Sequence, residues 1–492
     1  MLIPQISTYL VAFAQGPFVS LEDSYKSPLT GKVKPLKIFT TPDSIHQAQF
    51  ALDVKKAALP VYEEVFEVEY PLPKLDTLVA SDFDAGAMEN WGLITGRTTA
   101  FLYDPKKSSL EAKKRVVDVQ SHECAHMWFG NIVSPAWWDN LWLNEAFATL
   151  AGEVIIPDRI FPEFKVRQEF LVGHLASALS LDSVRSSHAI EVACPDANQI
   201  NQIFDSISYS KGASVLNMLM NLVGEKVFLK GVSIYLKKRL YGNAVTADLW
   251  EGISEASGID VAKIMESWVL KIGHPVISVE ELKDGKLKIK QNRFLINGDV
   301  KPEEDETIWY VPLEIKMVNK NGEIKIDHKA ILSERETIYD LQGAETFKLN
   351  ANTTGVYRVA YSTERLASLG DEAAKSNGAF NTEDRIGLVS DAITLARSGS
   401  GKTSGALNLI SKLGNEEDYR VWSAIASGIA KLKNVWWEED ERVRKALDKM
   451  RIKLYGPLKD KLGFEFKESE DNETKELRAL AISMVVGAED EV

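Results

Sequence analysis

The sequence predicts a multidomain α+β protein, in which a mainly helical unit is followed by a small β-sandwich and then by an incomplete, solenoid-like helical array. The chain has 492 residues, enough for roughly three or four domains. Apolar residues recur with helical spacing from about Ser44 to Gly273. Beyond Gly273 they alternate with a period of two, and from Glu364 the helical spacing returns. These changes of period predict the fold class.

The first 30 residues are typical of strands and turns. A β-prone run, Ser7–Ala14, precedes a Gly-Pro turn signal at residues 16–17, and a polar stretch follows. Residues 1–30 are too few to form a domain by themselves.

Residues 31–273 form the largest predicted unit. Apolar positions three and four residues apart predict long helices in this region. The segments that carry this pattern are Ser44–Leu59, Ser108–Phe129, Asp139–Ile156 and Ser206–Val223.

The next predicted units are a β-sandwich over residues 274–362 and a partial helical domain over residues 363–492. In the sandwich region, short alternating segments are joined by the hairpin signals Asp284-Gly285 and Asn321-Gly322. In the last region, the helical pattern returns and lacks an obvious polar helix that would end the array. Its predicted helices are Asp384–Arg397, Gly405–Leu413, Asp418–Leu432 and Arg442–Leu454.

Composition excludes several classes of protein. The 71 acidic side chains outnumber the 58 basic ones and give a net charge of −13, which argues against nucleic acid as a partner. No apolar run reaches the roughly eighteen residues that a membrane span needs. The two cysteines, Cys124 and Cys194, are too few for a disulfide scaffold and favour a reducing, cytoplasmic compartment.

A metal-binding pattern occupies residues 122–126, which read His-Glu-Cys-Ala-His. On a helix, His122 and His126 lie on one face, one turn apart, where they can share a metal ion, and zinc is the expected ion. The alternative is a helix that carries two hydrogen-bonded histidines and no metal. A catalytic zinc site takes a third protein ligand and leaves its fourth position to water.

Glu145 is the candidate third ligand, and Glu123 is the candidate general base. A loop separates Glu145 from His126. Glu145 lies among apolar residues, so the helix that carries it is expected to be largely buried. Glu123 lies beside the ligand row, where it can reach a metal-bound water instead of the metal. This arrangement indicates metal-assisted amide hydrolysis.

These residues resemble the gluzincin aminopeptidases, a family with puromycin-sensitive, membrane alanyl and leukotriene-hydrolase-type members, and in particular its cytosolic fungal-type members. The resemblance extends from about residue 7 to the end of the chain and rests on motifs in the family's order. They are the exopeptidase signature Gly86-Ala87-Met88-Glu89-Asn90, the pentad 122–126, the Trp-Leu-Asn-Glu segment that ends at Glu145, and the segment Ile207–Ala213.

The resemblance implies a zinc-dependent aminopeptidase with one Zn²⁺ per chain and peptides with a free N-terminus as substrates. The exopeptidase signature would bind the substrate as an added strand, and Glu89 would pair with its α-ammonium. Tyr209 would donate to the oxyanion of the substrate. Read without the family, Glu89 is an exposed acid on a turn and Tyr209 is a core residue.

The chain also departs from the family pattern. Cys124 and Met127 replace a common leucine and glutamine, Ala146 replaces a glycine, and Gly96 replaces a larger residue. The resemblance further implies a thermolysin-like catalytic domain over residues 31–273. It also implies that residues 1–30 are the remnant of a larger N-terminal β domain.

Two other functions remain open at this point. The first is a truncated, inactive or weakly active paralogue that acts as a peptide-binding or interaction protein, which the shortened N-terminal region favours. The second is an endopeptidase of the thermolysin type, which uses the same zinc chemistry without an amine anchor. Glu89 argues against the endopeptidase.

Overall fold

The computed structural model of the protein describes residues 4–467 and 469–489; residues 1–3, 468 and 490–492 of the predicted first and last units lie outside this description. The helices are α1 Gln49–Phe66, α2 Thr98–Phe101, α3 Leu110–Ala125, α4 Trp142–Leu150, α5 Ile156–Ile160, α6 Val166–Phe170, α7 Ala176–Leu181, α8 Gly212–Val223, α9 Glu225–Lys238, α10 Thr246–Ser257, α11 Val261–Leu270, α12 Thr363–Ala373, α13 Thr382–Arg397, α14 Thr403–Lys412, α15 Tyr419–Val435, α16 Glu441–Leu462 and α17 Asn472–Glu489. The strands are β1 Val19–Lys26, β2 Val33–Thr40, β3 Leu75–Ala80, β4 Ala87–Met88, β5 Leu93–Arg97, β6 Ser134–Pro135, β7 Asn243–Ala244, β8 Pro275–Glu281, β9 Lys286–Arg293, β10 Val311–Pro312, β11 Ile315–Val318, β12 Ile324–Asp327, β13 Ile331–Leu332, β14 Glu336–Asp340, β15 Thr346–Lys348 and β16 Arg358–Ala360.

The described chain divides into two compact units. The first unit contains the chain up to Phe170 together with His188–Ile272. The second contains Leu171–Ser187 and the chain from Gly273 onward. Helices and sheets occur in both units, so the predicted α+β class is confirmed. The predicted division into four domains stays a prediction.

The first unit contains a five-stranded sheet in the order β1-β2-β3-β5-β4. Strands β2, β3 and β5 are parallel, and β1 and β4 run antiparallel at the two edges. Strand β1 pairs with β2 from Val19 to Lys26, so the strands on either side of residue 30 lie in one sheet. Strand β3 lies within a region that the sequence describes as mainly helical. Its side chains are buried along nearly its whole length, so it lacks the alternation by which half-buried strands are recognised.

Helix α1 differs from its prediction, Ser44–Leu59, at both ends. It begins at Gln49, after a 3₁₀ turn at Ile45–Gln47, and it continues through Pro60 to Phe66. Proline removes one backbone hydrogen bond from a helix interior. The buried rings of Tyr62 and Phe66 compensate, because their centroids lie 5.3 and 5.9 Å from that of Trp128.

Three further predicted helices are present with shifted ends. Helix α3 begins at Leu110, where the Ser109 side chain accepts a hydrogen bond from a backbone N–H, and it ends at Ala125. Helix α4 runs into a π-helical turn at Ala151–Ile155, and α8 is preceded by another at Ile207–Lys211. These wide turns rotate the side chains that follow them, and such turns are frequent at functional sites.

The second unit contains small sheets followed by the C-terminal helices. The hairpins predicted after Gly273 are present: Gly285 and Gly322 adopt the positive φ that their turns require, between β8 and β9 and between β11 and β12. The sheets have the orders β14-β9-β8-β16, β12-β11-β15 and β10-β13. In the described residues, no helix is long and apolar enough to cross a bilayer.

Candidate active site

The two histidines of the pentad direct one nitrogen each towards the same point. The Nε2 atoms of His122 and His126 are 3.1 Å apart at the end of α3. The Nδ1–H of His126 donates to the carbonyl oxygen of Phe129 at 2.9 Å, and the Nδ1–H of His122 donates to a carboxylate oxygen of Glu153 at 3.0 Å. Because both partners only accept, the neutral form of each ring keeps its proton on Nδ1 and presents the lone pair of Nε2.

Glu145 completes the set of ligand atoms. Its Oε2 lies 3.6 Å from Nε2 of His122 and 3.4 Å from Nε2 of His126, and all three side chains are buried. The three ligand atoms lie within 4.8 Å of one another. Two imidazole nitrogens and one carboxylate oxygen are a donor set that zinc takes in catalytic sites, so the residues present fit this ion.

Glu153 was not identified from the sequence, although it holds His122 in place. It lies in the π-helical turn that follows α4, and Gly152 beside it lets this turn approach α3 closely. A Cβ atom at Gly152 would lie 2.5 Å from the Cα atom of His122, closer than side chains pack. The spacing of Glu153 from His122 is 31 residues, which no short motif covers.

Glu123 is buried, and its carboxylate is not fully hydrogen-bonded. Its Oε2 has no hydrogen-bond partner among the described residues. Burial raises the pKa of Glu123 to about 7. Carboxylate oxygens of Glu123 and Glu89 lie within 4.8 Å of each other and of a ring nitrogen of His126. A carboxylate with a pKa near neutrality can both accept and return a proton.

The exopeptidase signature lies at the edge of the five-stranded sheet. Ala87 and Met88 form β4, which pairs with β5 on one side and is the last strand in the sheet order. The carbonyl of Gly86 accepts from a backbone N–H of the neighbouring chain segment. The side chains of Glu89 and Asn90 are both buried. The outer edge of β4 is therefore suited to pairing with an extended peptide whose first residue reaches Glu89.

Tyr9 is a second residue that sequence reasoning missed. Its hydroxyl donates to Oε1 of Glu89 at 3.3 Å, and its ring centroid lies 5.5 Å from that of Trp138. The Nδ2 of Asn90 also donates to the carbonyl of Leu10, which fixes this N-terminal segment against the exopeptidase signature. Tyr9 precedes Glu89 by 80 residues, so only the folded chain brings them together.

Tyr209 lies in the π-helical turn that precedes α8, with its ring centroid 6.1 Å from that of His122. Burial raises the pKa of Tyr209 well above its ordinary value, and the carboxylates of Glu145, Glu89 and Glu123 raise it further. Its hydroxyl therefore keeps its proton at neutral pH and can donate a hydrogen bond.

The carboxylates of the site outnumber the positive charges that the described residues place beside them. We call Glu89, Glu123 and Glu145 the acidic cluster. Burial lowers the pKa of His126, but the carboxylates of Glu89 and Glu145 outweigh that effect and raise it to about 9. The same attraction holds the pKa of Glu145 at about 2 despite its burial. A divalent metal ion together with one α-ammonium group would neutralise the three carboxylates.

Two family models match the chain. The model described as "Peptidase family M1 domain" matches residues 50–268, and the model described as "ERAP1-like C-terminal domain" matches residues 346–492. The first range contains both histidines, Glu153, Tyr209 and the whole acidic cluster. Tyr9 lies outside it.

Three relatives are similar to nearly the whole chain. "Aminopeptidase 2, mitochondrial" of Saccharomyces cerevisiae is 43% identical over 487 residues, which are 99% of this chain and 50% of the relative. "Alanine/arginine aminopeptidase" of the same yeast is 41% identical over 98% of this chain and 54% of the relative. "Puromycin-sensitive aminopeptidase" of Caenorhabditis elegans is 38% identical over 97% of this chain and 50% of the relative. The chain thus spans about half the length of these relatives.

Proposed function

Because this chain belongs to peptidase family M1, we propose that it is a zinc-dependent aminopeptidase that hydrolyses the N-terminal peptide bond of peptides. One observation carries the proposal: three ligand atoms converge at one point, beside two further carboxylates that the described residues do not neutralise. Relatives named as aminopeptidases support the same activity. His122, His126 and Glu145 would hold the zinc ion.

Glu123 is the proposed general base and general acid. A bound zinc ion would supply a water of lowered pKa and polarise the scissile carbonyl. Glu123 accepts the proton of the attacking water and delivers it to the leaving nitrogen. The C–N bond therefore breaks with release of a neutral amine and not of an amide anion. Its buried, unpartnered Oε2 and its pKa of about 7 support both steps.

Glu89 and Gly86–Asn90 are the proposed substrate-binding residues. The α-ammonium of a substrate would replace the missing positive charge beside Glu89, and the outer edge of β4 would pair with the peptide backbone. This arrangement restricts cleavage to the first peptide bond after a free N-terminus. An endopeptidase would have no use for the buried carboxylate of Glu89.

Tyr209 is the proposed oxyanion donor. Its hydroxyl remains protonated because burial and the acidic cluster raise its pKa. One aimed donor of this kind contributes about 3 kcal/mol to transition-state stabilisation. Tyr209→Phe is therefore expected to lower kcat roughly 100-fold with little change in KM, whereas Tyr241→Phe, at an exposed tyrosine, leaves both unchanged.

We also propose the domain order and the compartment. Residues 31–273 would be a thermolysin-like zinc catalytic domain, residues 274–362 a β-sandwich and residues 363–492 a helical domain. The ranges matched by the two family models are consistent with this order. Both cysteines are buried free thiols, which supports the reducing cytoplasm, and fractionation of cells followed by immunodetection tests that compartment.

The first experiment measures hydrolysis of leucyl and alanyl anilides by the purified chain. We expect turnover of the free-amine substrates, loss of turnover with a zinc chelator and its return when zinc is added. The N-acetylated substrates should resist cleavage, because they carry no α-ammonium for Glu89. Glu89→Ala should lower turnover of free-amine substrates without lowering any turnover of acetylated ones.

The outcomes separate the proposed function from its alternatives. Equal cleavage of free and acetylated substrates would support an endopeptidase instead. Zinc bound at one ion per chain without turnover of any anilide would support a peptide-binding protein. Turnover that survives removal of zinc would contradict the metal centre itself.

A further inference from the structure

A cavity of about 170 Å³ lies within the second unit, whereas the metal ligands belong to the first unit. Its walls come from α13, from α15 and from the segment at residues 171–176. Gly428 allows α15 to approach α13 closely, since a Cβ atom there would lie 1.9 Å from the Cδ1 atom of Ile393. The small side chain of Ala424 also faces the cavity. The cavity remains open because small residues line one wall.

The polar side chains that line this cavity can all donate hydrogen bonds, and none of them is a carboxylate. They are the hydroxyls of Ser390, Thr394, Ser423 and Ser427 and the ammonium of Lys431. Of these, Thr394 is 9% exposed, and its hydroxyl has no hydrogen-bond partner within the described chain. In the same range, the hydroxyls of Ser423 and Ser427 and the ammonium of Lys431 also have none. Ser423 is half-buried, and Ser427 and Lys431 are exposed, so these donors are open to a ligand that enters the cavity from solvent.

Ser390 differs from the other hydroxyl residues of the cavity because its hydroxyl accepts a hydrogen bond from a buried arginine. The Nη1 of Arg358 donates to Oγ of Ser390 at 3.3 Å and to Oδ1 of Asp391 at 3.0 Å. The Nε of Arg358 is buried and makes no hydrogen bond to the described residues. Since the Ser390 oxygen already accepts a bond, its own hydrogen is free to be donated into the cavity.

Two positive charges act on Lys431, and one of them, that of Arg358, is paired with the carboxylate of Asp391. The exposed guanidinium of Arg397 has no ion-pair partner in the described residues, and it lies close enough to Lys431 to act on its charge. Burial lowers the pKa of Lys431, and the positive charges of Arg397 and Arg358 lower it further. A negative ligand would relieve this repulsion.

We propose that this cavity binds a small aliphatic carboxylate. Hydroxyl donors and the Lys431 ammonium match the two oxygens of a carboxylate, while Leu171, Val172 and Ile393 form apolar walls for a short carbon chain. At about 30 Å³ per water molecule, the volume holds roughly five or six water-sized groups, as many as the heavy atoms of butyrate. A phosphate fits this cavity less well than a carboxylate does. The lining offers it one ammonium group and no second cation, and a phosphate gains nothing from the apolar walls.

The test titrates butyrate into the full chain by calorimetry, with and without a zinc chelator. We expect one saturable site per chain with a Kd of about 1 mM, typical of a six-atom ligand. Butyramide has the same shape without the charge and should bind at least tenfold more weakly. Inorganic phosphate should also bind more weakly than butyrate. The chelator should not change butyrate affinity, because the carboxylate is held by Lys431 and not by a metal ion.

Variants locate the site. Lys431→Met should weaken butyrate binding at least tenfold, and the isosteric Thr394→Val should weaken it a few-fold. Lys449→Met removes one exposed lysine from α16 and serves as the control for the loss of one charge. Unchanged thermal unfolding of each variant shows that it folds. Absence of saturable binding, equal binding of butyramide, or equal affinity in Lys431→Met would overturn the proposal, and the first of these would indicate a cavity filled by water alone.

Discussion

The two units each bury a cluster of charged side chains, and the clusters differ in how their charges are balanced. In the second unit, the carboxylate of Asp384 contacts the ammonium groups of both Lys316 and Lys348. Both lysines also donate to backbone carbonyl oxygens, so every charge has a partner within the protein. In the first unit, the acidic cluster faces only two imidazoles, and Oε2 of Glu123 has no hydrogen-bond partner among the described residues.

This difference separates a structural cluster from a site that awaits a ligand. Burial raises the pKa of Asp384, but the two ammonium groups outweigh that effect and hold the pKa below its ordinary value. The protein therefore stabilises this charge by itself. Burial raises the pKa of Glu123 to about 7, and the two imidazoles offset this effect only in part. A buried charge that the fold does not pair is a sign of function.

The strongest test of this comparison is Glu123→Gln. We expect kcat to fall by about 10³-fold or more, since the amide cannot accept the proton of the attacking water. Zinc content should remain at one ion per chain, because Glu123 is not a ligand. The zinc-free variant should unfold at the same or a higher temperature than the zinc-free parent, since an uncompensated buried charge is removed. Glu111→Gln, at an exposed position of α3, is the control. Activity that survives would assign the base to another residue.

The opposite result is expected for Asp384→Ala in the second unit. It leaves two buried ammonium groups without their carboxylate, and this should lower the free energy of unfolding by about 3–5 kcal/mol. Denaturant unfolding measures the loss. Asp371→Ala breaks an exposed ion pair with Lys412 and should cost less than about 1 kcal/mol. If both variants lose the same stability, the Asp384 cluster is not the structural element that we describe.

Glu153→Gln tests whether the first unit depends on residues outside its motifs. The amide is a weaker acceptor for the Nδ1–H of His122, so zinc affinity should fall roughly 10- to 100-fold. Competition with a fluorescent chelator measures this affinity directly. Glu163→Gln, on an exposed side chain, should leave it unchanged. An unchanged zinc affinity in Glu153→Gln would mean that packing alone orients His122.

The imbalance of charge in the first unit also predicts a pH dependence. Because the pKa of His126 is about 9 without a cation beside it, a proton competes with zinc below that pH. The apparent Kd for zinc should therefore rise roughly tenfold per pH unit for each proton displaced, as the pH falls from 8 to 6. Chelator competition at several pH values gives the slope. A flat profile would show that the carboxylates do not raise the pKa of His126.

The smallest expected effect is that of Tyr9→Phe. This variant removes one hydrogen bond to the carboxylate of Glu89 and keeps the ring against Trp138. We expect KM for free-amine substrates to rise roughly three- to tenfold with little change in kcat, because Tyr9 positions Glu89 and does not contact the reacting atoms. Tyr241→Phe is again the control. A change in kcat alone would argue for a different role.

Much of the first unit could be predicted because its main residues lie in short motifs. A helix places His122 and His126 one turn apart whatever surrounds it, so their convergence follows from spacing alone. The end of α1 could not be predicted in this way. Pro60 normally stops a helix, but the rings of Tyr62 and Phe66 pack against Trp128 and stabilise the turns that follow it. Long-range packing outweighed the local preference.

The sequence by itself determined the ligand types, their spacing and the buried helices that carry them. Local geometry sets these features, so they can be read from residue types and their spacing along the chain. Only the tertiary structure decided which other groups meet them. Glu153 reaches His122 across 31 residues because Gly152 lets two helical segments touch, and Tyr9 reaches Glu89 across 80 residues. The cavity beside Lys431 likewise exists only where α13 and α15 pack. Contacts of this kind depend on distances in space, which no spacing along the chain records.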